Sequence, residues 1–206
     1  ARRFIDSGYR FKALHRLILN SKTYQLSAHS ADRVGGEDPL EEILFARYVP
    51  RKLPAEVLLD AISQVTDQPE KFRNYPAGTT PKELIASIGA TYFLTTFGHP
   101  RRDVMGAREN TPSLAQALQM MNGDVLKERL SEDDNILGAL IGRGLTDREI
   151  VDRLYLRAYA APPDADKLEA IDHYLEAESR AGRGRRRGLE NVLWAILNAK
   201  EFQLNR

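Results

Sequence analysis

Thr146-Asp147-Arg148-Glu149-Ile150-Val151-Asp152-Arg153-Leu154-Tyr155-Leu156-Arg157-Ala158 decides the fold. Thr146 and Glu149 stand at capping-box spacing, so the Thr hydroxyl can accept from an N3 amide while Glu reaches back. Behind them Ile150, Val151, Leu154, Tyr155 and Ala158 share one face of a 3.6-residue repeat. Pro162-Pro163-Asp164 breaks that helix and caps another with Leu168, Ile171 and Leu175 on its face. A last helix carries Leu189, Val192, Leu193, Ile196 and Leu197. Residues 146–206 are therefore expected to form a C-terminal three-helix module. It would pack on a helical region 1–145 as one continuous domain.

Helical periodicity also governs the rest. Phe11, Leu14, Leu17 and Ile18 make one apolar stripe near the start. Pro54 suits a first helical turn, ahead of Leu58, Ala61, Ile62 and Val65. Thr111-Pro112-Ser113 begins another helix, whose expected core face is Leu114, Ala117, Leu118 and Met121, with Asn122-Gly123 as its stop. At least six helices and few period-2 strands make the fold class all-α.

Two stretches are irregular. Residues 28–39 read as a loop. The longer segment, 66–112, holds five prolines and four glycines, yet its Phe72, Tyr75, Tyr92, Phe93 and Phe97 argue for packing. Short helices are expected at Leu84–Ile88 and Tyr92–Phe97. A repeat also stands out: Leu19-Asn20-Ser21-Lys22-Thr23-Tyr24-Gln25-Leu26 matches Leu197-Asn198-Ala199-Lys200-Glu201-Phe202-Gln203-Leu204 at five of eight positions. Each copy ends an amphipathic helix, and the expectation is one turn that drops an aromatic into the core. A ligand-binding role for either copy is the alternative.

Composition closes off several chemistries. The 206 residues carry 30 basic and 29 acidic side chains, a formal +1, so a strongly cationic nucleic-acid binder is not indicated. No cysteine is present, which removes zinc–cysteine sites, iron–sulfur clusters, covalent haem attachment and thiol catalysis. No apolar run approaches the ~20 residues of a membrane helix, and no signal peptide opens the chain. The four histidines show no metal-binding spacing, and phosphate-loop, dinucleotide and serine-hydrolase motifs are missing. Neither a metal nor a cofactor is expected in these residues.

Near-neutrality conceals an uneven distribution. Residues 146–178 sum to −5 and are followed by Arg180, Arg183, Arg185, Arg186 and Arg187. An intramolecular or solvated reading leads for that cluster, with polyanion binding through Arg183, Arg185, Arg186 and Arg187 as an alternative. Phe97-Gly98-His99-Pro100-Arg101-Arg102, with Arg108 behind it, could hold a carboxylate or sulfate. The competing reading is a turn beside a solvated basic edge. Glu56 and Asp60 lie one helical turn apart and are expected to pair with Arg51 and Lys52. A pocket reading instead gathers Arg51, Glu56, Asp60, Arg108 and Gln116 as the polar lining of a small-molecule or glycan-processing site.

Several motifs together resemble one family. They are Leu14-His15-Arg16-Leu17-Ile18-Leu19 with Thr23-Tyr24-Gln25-Leu26-Ser27, Arg51-Lys52-Leu53-Pro54-Ala55-Glu56 with Asp60-Ala61, and Tyr92-Phe93-Leu94 with Phe97-Gly98-His99-Pro100. Thr111-Pro112-Ser113-Leu114-Ala115-Gln116-Ala117-Leu118 with Asn122-Gly123, then Leu154-Tyr155 and Pro162-Pro163, and Leu193-Trp194-Ala195-Ile196-Leu197-Asn198-Ala199-Lys200-Glu201-Phe202 complete the set. Their order resembles a planctomycete-specific C-terminal domain of unknown function, found in large proteins that often also carry a planctomycete-type cytochrome C domain. The resemblance implies a helical fold, an extracytoplasmic setting and an uncharacterised role. Many relatives carry Cys-Glu-Cys-Glu-Arg where this chain has Val104-Met105-Gly106-Ala107-Arg108, so no role of those cysteines transfers. The opening Ala1-Arg2-Arg3-Phe4-Ile5-Asp6 reads as the end of a helix, and a fragment of a larger protein is expected. The leading expectation is a non-catalytic module that packs against other domains of its parent or against a partner protein.

Overall fold

Proline, capping hydroxyls and apolar periodicity punctuate the chain into short helices. The computed structural model describes residues 1–28, 43–85, 91–99 and 111–205. Among them the elements run α1 (Arg2–Asp6), α2 (Phe11–Leu19), β1 (Arg51–Lys52), α3 (Ala55–Thr66), a 3-10 turn (Pro81–Glu83), α4 (Tyr92–Thr96), α5 (Leu114–Asn122) and α6 (Asp124–Ser131). There follow α7 (Ile136–Gly142), α8 (Asp147–Tyr159), α9 (Ala165–Arg180), α10 (Arg185–Asn198), α11 (Lys200–Gln203) and β2 (Leu204–Asn205). The fold is all-α. The two dipeptide strands pair with each other.

The chain divides into two units, residues 1–51 with 204–206, and residues 52–203. The second holds the core. Every buried hydrophobic side chain among the described residues lies between Ala55 and Phe202. The α10 face is buried throughout, at Leu189, Val192, Leu193, Ile196 and Leu197. It packs against α8 and α9 and also against α5, α6 and α7. Residues on both sides of 145 contribute to this one hydrophobic core. Gly188 lets α9 and α10 approach, since a methyl there would sit 3.0 Å from a Leu175 methyl carbon.

Local start signals are read out in atoms. Thr146 and Glu149 form the capping box, with Glu149 accepting from the Thr146 amide at 2.8 Å. Asp164 accepts the Lys167 amide at 2.9 Å and opens α9; Ser113 accepts the Gln116 amide and opens α5. Those bonds favour the ionised acids, and they hold Glu149 and Asp164 below their ordinary carboxylate values. Asn135 is wholly buried; its oxygen caps α7 at Leu137 and Gly138 while its amide feeds the Arg129 and Leu130 carbonyls.

One expectation lies mostly outside the described residues, and another fails. Of the helix expected over Leu84–Ile88 only Leu84 and Ile85 are described; Leu84 is extended and closes the 3-10 turn that Thr80 and Glu83 open with a capping box. The α5 core face is also different: Leu114, Leu118 and Met121 are 75%, 51% and 51% exposed, while Gln116 and Met120 are buried. Part of the 66–112 segment is packed as expected, through buried Phe72 and Phe93 and the stacking of Phe93 on Phe97 at 4.4 Å. Tyr92 departs from this and lies exposed.

The first unit contrasts sharply. None of its described residues is buried. The stripe on α2 faces outward at Phe11, Leu17 and Ile18, with Leu14 half-buried. Phe4 meets Tyr9 and Phe11 at ring separations of 5.5 and 5.4 Å, a small aromatic cluster at the surface.

Candidate functional site

His99 is the one polar side chain of the second unit whose ring nitrogens are both buried and lack a hydrogen bond among the described residues. Its position follows from the backbone. Gly98 ends α4 at φ +77°, so its amide reaches the Thr95 carbonyl and the His99 amide reaches Leu94. A side chain would strain that left-handed position, which explains glycine there. The turn swings His99 against the first turn of α3. Its Nδ1 lies 3.1 Å from Glu56 Oε1, with side-chain exposures of 6% and 10%. The approach lacks hydrogen-bond alignment and serves as close electrostatic contact.

The two most suggestive sequence candidates therefore do meet. An imidazole beside a carboxylate is the core of general-base chemistry. Here both groups are almost closed off from solvent, and neither lines the neighbouring cleft, so a substrate has no described route to them. Their evident role is to pin the end of α4 onto α3.

The cleft itself lies between Lys52, Leu53, Phe97, Ser113, Gln116 and Gln203, among others. Its volume is about 140 Å³, against the ~300–1,000 Å³ usual for small-molecule sites. Lys52 Nζ donates to Gln116 Oε1 at 2.9 Å, and Gln116 Nε2 donates to the Thr96 carbonyl at 3.2 Å. Burial pushes the Lys52 ammonium below its ordinary value. Lys52 and Gln203 are cleft residues that sequence reasoning did not select. Lys52 was assigned to the α3 acids, and only the register of 52 against 116 reveals its other partner.

The remaining candidates scatter. Asp60 lies 3.8 Å from Lys82 and accepts from Gln64, and no ion pair with Arg51 or Lys52 is formed at that carboxylate. Arg51 is exposed and belongs to the first unit. Arg101 and Arg108 lie outside the described residues, as does the Val104–Ala107 stretch. Gln116 alone of the expected pocket lining borders the cleft.

Three of the four loop arginines are internally engaged. Arg183 pairs with Glu178 at 3.0 Å, Arg185 with Asp147 at 2.6 Å, and Arg186 with Glu190 at 2.8 Å. Arg185 and Arg186 also donate to the Leu145 and Glu132 carbonyls. Arg187 is exposed and has no ion pair among the described residues. Three cations opening a helix oppose its dipole, and these carboxylates and carbonyls offset that. The acidic stretch 146–178 and the arginine loop are thus partners within the chain. Among the described residues no group of three or more His, Cys, Asp or Glu is placed to hold a metal ion.

A family model, PSD1, described as a protein of unknown function (DUF1553), matches residues 1–175. No curated protein and no solved structure matches the chain.

Proposed function

The chain belongs to the PSD1 family, and from that premise we propose that it is a non-catalytic interaction module of a larger protein. The observation that carries this is the outward placement of apolar helix faces. On α5, Leu114, Leu118 and Met121 are exposed one turn apart while the opposite face, with Gln116 and Met120, packs inward. On α2 Phe11, Leu17 and Ile18 are exposed as well. Contiguous exposed apolar faces mark surfaces that other surfaces cover. The buried His99–Glu56 contact and the small cleft lend no comparable support to turnover.

Adjacent methionines supply the test. Hydroxyl-radical footprinting should oxidise Met121, half exposed, and spare Met120, at 2% exposure, in the 206-residue chain. In the full-length protein that carries the chain, Met121 should become protected toward the level of Met120. Equal labelling of Met121 in both contexts would count against the module.

An extracytoplasmic setting and a partnership with cytochrome C domains extend the same proposal, supported by the motif resemblance alone. With no cysteine, the chain itself offers no thioether attachment for haem. Fractionating cells that produce the full-length protein tests the setting. No helix among the described residues is long and apolar enough to cross a membrane.

A further inference from the structure

We propose that the first unit docks onto an anionic lipid surface, an inference that rests on the interaction-module reading and names the partner. Charge comes first. Residues 1–28 hold Arg2, Arg3, Arg10, Lys12, Arg16 and Lys22 against a single acid, Asp6. None of these six cations forms an ion pair among the described residues. In the second unit, by contrast, most arginines that could cluster are matched by carboxylates. Over the whole first unit ten basic side chains stand against six acids, while the second carries twenty against twenty-three, so the net cationic excess lies in the first unit.

The apolar side chains are arranged to accompany that charge. On α2, Phe11, Leu14, Leu17 and Ile18 share one face, and Lys12 and Arg16, one turn apart, share the opposite, polar face. A short helix with an apolar face and a cationic polar face lies in the plane of a bilayer interface, its apolar side below the headgroups and its long cations among them. The unit presents a second apolar element. Ile43, Leu44 and Phe45 are consecutive and 69%, 72% and 69% exposed, with Phe45 held at φ +52°. A bulky residue rarely takes that conformation. Three adjacent apolar side chains do not make the i, i+4 stripe that a protein groove reads. They do suit a fluid apolar phase, which needs no register. The dispersal of six cations over two helices and their connections fits a diffuse negative surface better than one acidic pocket. The unit would lie on the membrane without spanning it.

The experiment is vesicle flotation of the 206-residue chain, with phosphatidylcholine alone and with phosphatidylcholine–phosphatidylglycerol. The chain should float with the anionic vesicles, and raised salt should weaken that binding. Lys12→Ser/Arg16→Ser should reduce partitioning about 25-fold, at roughly fivefold per cation. Leu17→Ser/Ile18→Ser should reduce it on the order of tenfold or more. All four side chains are at least partly exposed, and unchanged far-ultraviolet circular dichroism would verify that both variants fold. Failure to float, equal flotation with phosphatidylcholine alone, or indifference to both double substitutions would overturn the inference. Sedimentation equilibrium separates the other occupants. A dimer dissolved by Leu17→Ser/Ile18→Ser, without flotation, would assign the face to a second copy and sink the lipid assignment. The module reading would survive that result, because Met121 protection in the full-length protein tests it independently.

Discussion

The two copies of one eight-residue ending lead to opposite environments. In Leu197–Leu204 the Asn198 amide donates to the Trp194 carbonyl at 3.0 Å and Gln203 donates back to the Asn198 carbonyl at 3.0 Å. Between them Phe202 drops into the core at 4% exposure. In Leu19–Leu26 the helix stops at the matching Asn20, whose backbone N–H donates to the Arg16 carbonyl while the Ser21 N–H donates to Ile18. There Tyr24 stays 51% exposed, and neither Asn20 nor Gln25 makes a side-chain bond among the described residues. The shared residues determine where the helix ends. Burial is decided by what surrounds the turn, and only the second unit supplies a surround.

Substitution at the paired aromatics should give the widest separation. Phe202→Ala is expected to destabilise the chain by about 3–5 kcal/mol, as for other buried aromatics. Tyr24→Ala should change stability by no more than about 0.5 kcal/mol. Urea unfolding followed by circular dichroism reads both, and equal losses would abolish the distinction between the copies.

The next comparison concerns arginines. Arg129 is 8% exposed at its side chain and holds Glu70 at 2.6 Å, the Gln68 carbonyl at 3.0 Å and Ser63 at 3.4 Å. Arg129→Met should cost about 3 kcal/mol, because it strands a partly buried carboxylate and a carbonyl. Arg16→Met on α2 should be neutral within about 0.5 kcal/mol. A neutral Arg129→Met would show that the second unit's polar network is dispensable.

Asn198→Ala against Asn20→Ala sharpens the same contrast on a smaller scale. The first should cost about 1 kcal/mol for one lost, half-buried hydrogen bond. The second should be undetectable by thermal melting.

Helix starts give the smallest effect. α1 and α2 have no side-chain cap bond, whereas α8 and α9 open on Glu149 and Asp164 with depressed pKa values. A carboxyl that is more acidic when folded contributes stability above its unfolded pKa. That contribution disappears as pH falls through the folded value. Acidification below the ordinary carboxylate range should therefore loosen α8 and α9, and Glu149→Gln, which removes the titrating group, should flatten the dependence at α8. Amide shifts of Thr146 and Lys167 followed by NMR would report it, and pH-independent shifts would contradict the capping account.

The legible part of the fold was local. Thr146–Glu149, Pro162-Pro163-Asp164 and Ser113 announce helix starts through their own side chains, so spacing sufficed. The faces of α3, α8, α9 and α10 were legible because each pattern has one apolar side and a core to meet it. On α5 the same reasoning pointed outward: Leu114, Leu118 and Met121 form the better stripe, yet Met120, Gln116 and the Trp194 contact to the Met121 carbonyl determine the inner side. Periodicity identifies an apolar face without identifying what covers it. The candidate site was legible as residues but not as pairs. Gly98 flagged an unusual turn, while the meeting of His99 with Glu56 depends on the register of α4 against α3. Lys52 went to Gln116 for the same reason.

Amide hydrogen exchange on the 206-residue chain, with and without anionic vesicles and again within the full-length protein, tests the central claim. The account predicts that α2 amides exchange far faster than α10 amides in the chain alone, and slow markedly when a covering surface is supplied. Protection of α2 equal to that of α10 in the chain alone, or no slowing in either complex, would contradict it.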